Sequence, residues 1–304
     1  MKRGRNAILL ACLAGTVATR VFTAPPGWGS AGISDPVPAV ALSISVSAGT
    51  PAQGDPLIVD VAATGPVDNL VLLWKGTAWP LREVAAGRYE GLVGVDLLAP
   101  AIPETLVAEG WSGGKRIRAD AVLAVVARRF PVQEISLPKR MADFDAPTLK
   151  RIREEARAME ERFARVTMPV LWRMPFLPPV EEFRPENFGS RRVINGEERS
   201  PHAAVDVRLP EGTPVRSIAG GTVVFAGEQF FGGRSVVIDH GGGVFSTYYH
   251  LREIAVPAGQ AVGRGETIGA VGATGRATGP HLHFGVRVPG GRIDPALLFA
   301  LPGR

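Results

Sequence analysis

The sequence predicts a mainly β protein: an N-terminal immunoglobulin-like β-sandwich, one linking helix, and a C-terminal antiparallel β domain. Three observations predict this. The 304 residues include 37 Gly and 26 Pro, a turn-rich composition that favours many short strands. Short apolar alternations recur in two blocks. Between the blocks lies a single stretch with helical periodicity. At 45% hydrophobic and 21% charged residues, the chain is neither disordered nor coiled-coil in class. Its length suffices for two cores of roughly 100–200 residues each.

Residues 1–24 read as an export signal or N-terminal anchor. Lys2, Arg3 and Arg5 precede an apolar run from Ala7 to Thr19, shorter than the ~20 residues a spanning helix needs. Three readings stand: cleavage after Ala24, lipid attachment at Cys12 within Leu9-Leu10-Ala11-Cys12, or an uncleaved anchor. All three expect an exported protein of the periplasm or cell envelope, and no integral span is expected in the mature chain. Losing residues 1–24 removes Lys2, Arg3, Arg5 and Arg20 and no acid, so the net charge falls from +5 to +1. The basic balance therefore says little about partners, and no basic patch interleaved with aromatics suggests nucleic acid. Nothing in the pattern sets an oligomeric state. Cys12 is the only cysteine, so any metal site must use His, Asp or Glu.

Residues 36–130 carry the first block of alternations, clearest at Ala41–Val46, Leu57–Val61, Leu70–Trp74 and Ala121–Val125. Gly54-Asp55-Pro56, Gly87 and Gly113-Gly114 punctuate them. About seven strands in about 90 residues suggest an immunoglobulin-like sandwich. With no histidine and no clustered carboxylates, a spacer or binding role is expected of it. The helix is expected at residues 145–167. Leu149, Ile152, Ala156, Met159, Phe163 and Val166 recur at spacings of three and four, and Asp145 with Pro147 marks the start. It is expected to pack on a β segment rather than form a coiled coil. Prolines 169, 175, 178, 179 and 185 then lead into the second block, residues 170–304, which holds all five histidines: His202, His240, His250, His281 and His283.

Gly279-Pro280-His281-Leu282-His283-Phe284-Gly285-Val286 alternates strictly, placing two imidazoles on one face of a strand and Leu282, Phe284 and Val286 on the other. His202 and Asp206 are four apart. On a straight strand they lie ~13 Å apart, so they share a metal only if the chain bends at Ala203-Ala204. With one histidine of the pair they supply three N/O ligands suited to Zn²⁺. Three ligands leave a fourth position open for water, the catalytic arrangement, and bound zinc makes hydroxide available near neutral pH. Further imidazoles take protons and stabilise an oxyanion.

His202-x-x-x-Asp206, Tyr248-Tyr249-His250-Leu251 and Thr278-Gly279-Pro280-His281-Leu282-His283-Phe284 resemble the lysostaphin/LytM-type zinc metallopeptidases of bacterial cell walls. So do Gly212-Thr213-Pro214-Val215, Gly220-Gly221-Thr222-Val223, Ile238-Asp239-His240-Gly241 and Gly269-Ala270-Val271-Gly272-Ala273-Thr274-Gly275. The resemblance runs in order through about residues 187–300. It implies one Zn²⁺ per chain on His202, Asp206 and His283, with His250 and His281 as the non-ligand catalytic histidines. It also implies a compact antiparallel β domain acting on the stem peptides or crosslinks of peptidoglycan. Ala204 stands where the family often has Gly. Tyr248, read as sharing a strand face with His250, and Arg191 and Arg192 are candidate substrate-binding residues, while His240 is expected to be structural. Two rivals accompany this reading: a non-catalytic envelope regulator that activates other wall hydrolases, and a zinc peptidase acting on protein.

Overall fold

The computed structural model describes residues 40–138 and 142–302. The expected export signal, with Cys12, lies outside the described residues. The first block forms β1 (Leu42–Val46), β2 (Pro56–Ala63), β3 (Asp68–Trp74), β4 (Thr77–Pro80), β5 (Arg82–Ala85), β6 (Arg88–Gly94), β7 (Pro103–Ser112) and β8 (Lys115–Ala124). That is eight strands against about seven expected. They make two four-stranded antiparallel sheets, ordered β1-β2-β6-β5 and β4-β3-β7-β8. Alternate residues of both sheets, among them Leu57, Val59, Val61, Leu72, Trp74, Leu106 and Leu123, share one apolar core, as expected of half-buried strands packed face to face.

After β9 (Val132–Ile135) comes α1 (Ala146–Phe163). The Asp145 carboxylate caps it by accepting the Thr148 N–H at 3.0 Å, satisfying a donor that the first turn leaves unpaired. Arg151–Glu155 and Arg157–Glu161 pair along its exposed face. The helix stops before the expected residue 167. Thr167 instead bonds through Oγ1 to Asp239 Oδ2 at 2.7 Å and through its carbonyl to Gly242 N–H at 2.9 Å, and Pro169 disfavours helical backbone just ahead of it. The helix packs on the C-terminal sheet. Phe163 meets Phe245 edge-on at 5.4 Å, and the Arg287 guanidinium forks onto Glu160 at 2.7 and 3.0 Å.

The C-terminal part contains β10 (Arg191–Ile194), β11 (Glu197–Arg199), β12 (Val205–Arg208), β13 (Pro214–Arg216), β14 (Gly221–Gln229), β15 (Gly233–Asp239), β16 (Phe245–Ile254), β17 (Ala261–Val262), β18 (Thr267–Val271), β19 (His281–Val288), β20 (Gly291–Ile293) and α2 (Pro295–Phe299). Its main sheet runs β12-β19-β16-β15-β14-β17, so β19 is an interior strand held between β12 and β16. Leu282, Phe284 and Val286 are buried beneath it, as alternation predicts. A small sheet, β11-β10-β9, stands beside it, with β9 parallel to β10. The sandwich locks onto this part. Ile58 and Leu92 enter its core, Gly94 N–H donates to Pro289 O at 2.8 Å, and Arg292 forks onto Asp96 at 2.7 and 2.9 Å. Among the described residues no helix is long and apolar enough to cross a membrane.

Candidate active site

Sheet register assembles the site. Across β12-β19-β16, Asp206 pairs with His283 and His283 with Tyr249, so three side chains stand in a row on one face. Tyr249 stacks flat on the His283 ring, with centroids 5.5 Å apart and planes within 9°. His202 arrives from the irregular segment before β12, which bends as the four-residue spacing requires. That segment passes over β19 at Gly285, where a Cβ would stand 3.4 Å from Ala204 Cβ and 3.7 Å from Ala203 O. The result is a tight triangle: His202 Nε2 to His283 Nδ1 3.0 Å, His283 Nδ1 to Asp206 Oδ1 2.9 Å, and His202 Nε2 to Asp206 Oδ1 3.4 Å.

Backbone carbonyls fix the imidazoles. His202 Nδ1 faces Asn187 O at 3.1 Å, His250 Nδ1 faces Thr274 O at 2.8 Å, and His281 Nδ1 faces Gly279 O at 2.8 Å. A carbonyl only accepts, so each Nδ1 carries a proton, the tautomer that leaves the Nε2 lone pair for another partner. His250 and His281 rings lie 4.7 Å apart and both line the cleft. Burial, then the charge of His281, pushes His250 down to about 4. Burial pushes His283 down to about 3 against the opposing bond to Asp206. Both are neutral at pH 7. Burial raises the Asp206 carboxyl, but the hydrogen bonds and charges of His202 and His283 more than reverse this and hold it well below the usual carboxylate range.

The cleft over these residues encloses about 750 Å³. Its floor is β12 and β19, one wall is β9 and β10 with Gln133, Ile135 and Arg192, and the other carries Phe231 and Arg276. Two expectations about its lining are corrected. Tyr248 does not face it: the ring is wholly buried, and its hydroxyl accepts the Ile218 N–H at 3.2 Å inside the core. His250 has φ 62°, the left-handed region, so strict alternation fails at that residue. His250 turns to the same side as Tyr249, and Tyr249 is the tyrosine of the cleft. Arg191 also points away, exposed and paired with Glu198 at 2.7 Å, because adjacent residues of a strand face opposite sides. Arg192 lines the cleft, 3.8 Å from Asp206.

His240 lies outside the cluster and is fully buried, its Nδ1 donating to Gly220 O and its Nε2 2.8 Å from Ser246 Oγ. Burial depresses it from 6.5 to about 4. The unfolded chain therefore binds the extra proton between those values, and the folded protein loses stability as pH falls from 6.5 through about 4, by about 3 kcal/mol in total. Urea melts between pH 7.5 and 4.5 should show a shallower acid loss in His240→Gln than in the wild type. Equal slopes would exclude this contribution.

The donors fit the metal that the family resemblance implies. His202 Nε2 and Asp206 Oδ1 bring lone pairs toward the same inward atom of His283, and all three ligand atoms lie within 4.8 Å of one another. Two imidazoles and one carboxylate are a hard-to-borderline N/O set suited to zinc.

Comparison with known proteins follows the same residues. Residues 200–295 match the sequence profile of Peptidase family M23. The chain is 44% identical over 101 residues to the DD-carboxypeptidase/endopeptidase Mpg of Neisseria meningitidis serogroup B, a match covering 33% of this chain and 23% of that protein. It is 37% identical over 138 residues to the Peptidoglycan DD-endopeptidase ShyA of Vibrio cholerae, covering 45% of this chain and 30% of that one. The chain thus spans under a third of the length of these relatives. A Pseudomonas aeruginosa crystal structure described as a peptidase M23 superposes with a TM-score of 0.64 at 28% identity, over 82% of this chain and 95% of that one. Ligand spacing, sheet register and these likenesses agree: residues 200–295 are a Peptidase family M23 domain of the LytM/lysostaphin type.

Proposed function

We propose that the protein is an exported zinc metalloendopeptidase that hydrolyses peptide bonds in peptidoglycan stem peptides or crosslinks. The observation that carries this is the completeness of the set: three convergent donors and two further imidazoles with bare Nε2 atoms, in one open cleft. His202, Asp206 and His283 would hold one zinc ion. Zinc there would supply Lewis acidity toward the scissile carbonyl and toward water. His250 and His281 act as general base and oxyanion partner, and the protonated base returns its proton to the leaving amine. Their Nδ1–H bonds to Thr274 O and Gly279 O hold the reactive nitrogens toward substrate. Tyr249, stacked on His283, keeps that ligand's plane.

The substrate reading draws support from relatives named for peptidoglycan DD-endopeptidase activity. We divide the chain into the signal or anchor at residues 1–24, the immunoglobulin-like domain at 36–130, the linking helix, shortened to Ala146–Phe163, and the peptidase domain at 170–304, working in the periplasm or envelope. A regulator on the same fold would be favoured by a gap in the ligand set, and His202, Asp206, His250, His281 and His283 are all present. Purified peptidoglycan treated with the full chain should release fragments whose masses show cleaved peptide bonds. Intact crosslinks, together with stimulation of an added hydrolase, would replace this reading with the regulator.

A further inference from the structure

The cleft holds more positive charge than its acids balance. Of the arginines lining it, Arg208 has Glu186 at 3.6 Å. Arg192 has only Asp206, at 3.8 Å, and that carboxylate already faces His202 and His283. Arg276 has no carboxylate within ion-pair reach among the described residues, and the charges that bear on it are Arg192 and Arg199, both of its own sign. Like charges held together in a half-buried site cost free energy unless an anion joins them.

The arrangement is built. The Arg276 guanidinium lies 4.1 Å over the Phe231 ring, and its backbone N–H donates to Phe231 O at 2.9 Å. Stacking fixes the plane of the guanidinium and leaves its N–H edge free for a planar carboxylate. Opposite, Arg192 Nε is buried without a hydrogen-bond partner, and so is Oε1 of Gln133, its register neighbour on β9. Arg276 also acts electrostatically on His250, so this end of the cleft adjoins the reacting groups.

We propose that Arg192 and Arg276 form a carboxylate-binding end of the cleft that takes a free carboxylate of the peptide substrate close to the scissile bond. The inference rests on the peptidase reading above. Arg192 and Gln133 both lie outside residues 200–295, so the subsite is completed by strands that precede the M23 domain. A bidentate guanidinium–carboxylate pair is directional and charge-assisted, so a neutral carboxamide at that position forfeits it.

The test uses the full zinc-loaded chain and a crosslinked stem-peptide substrate, with analogues in which each carboxylate in turn is a carboxamide. One analogue should lose about ten- to a hundredfold in kcat/KM, mainly through KM. In Arg276→Gln and in Arg192→Gln, each first checked for a wild-type melting profile, the ratio between that analogue and the parent should fall toward one. Arg276→Lys should restore part of the discrimination. Wild-type cleavage of the parent and every analogue at equal rates overturns the subsite and leaves the peptidase reading standing. Full discrimination retained in both glutamine variants also overturns it. Cleavage of none of them overturns the peptidase reading itself, and the subsite with it.

Discussion

His283→Ala is expected to lose bound zinc and with it peptidoglycan hydrolysis, whereas His281→Ala should retain zinc and still lose turnover by about 10²–10⁴-fold. The two residues are neighbours on one strand face, yet their nitrogens face different tasks. His283 turns Nδ1 into the triangle with His202 and Asp206, at 3.0 and 2.9 Å. His281 pins its Nδ1 on Gly279 O, and its Nε2 stands 3.7 Å from Asp206. Removing a ligand leaves two donors, too few to hold zinc against solvent. Removing His281 leaves all three. Metal per chain after gel filtration, measured beside the rate of fragment release, separates the cases. Loss of zinc in both variants would show that the assigned roles of the pair are wrong.

Phe284→Ala should destabilise the protein by about 3–5 kcal/mol, seen as a lower denaturant midpoint with an unchanged slope. The side chain is wholly buried. Its ring lies 5.2 Å from Tyr248, 6.1 Å from Phe183 and 6.0 Å from Phe299. Three aromatic neighbours on a close-packed strand cannot collapse into the space it leaves. Because Phe284 follows His283 directly, weaker zinc retention should accompany the loss. A change under about 1 kcal/mol would mean that the strand is held from elsewhere.

Where side chains alternate, the sequence was readable. His281 and His283 against Leu282, Phe284 and Val286 follow from a period of two, and the α1 stripe from a period near 3.6. Reading failed where one backbone angle broke the pattern. The left-handed φ of His250 turns its ring to the side of Tyr249, leaving Tyr248 on the core face, and nothing local in Tyr248-Tyr249-His250 announces it. It also failed where the partner is far along the chain. The wall formed by Gln133 and Ile135 depends on parallel pairing of β9 with β10, across about sixty residues and an intervening helix. A four-residue strand has too little pattern of its own to reveal such a partner. Arg276 sits among turn glycines, where the sequence carries no pattern to single it out. Its stacking on Phe231 and its proximity to Arg192 exist only in three dimensions.

A cleft that hydrolyses peptidoglycan peptides with zinc held by His202, Asp206 and His283 must reveal itself in its products. The most direct measurement is mass analysis of a purified crosslinked muropeptide after incubation with the full chain, as isolated, after chelation, and after zinc is returned. Conversion to two smaller products whose masses together exceed the substrate by one water is expected, abolished by chelation and restored by zinc. Undiminished hydrolysis by the chelated protein, or an intact substrate with about one zinc bound per chain, would contradict it.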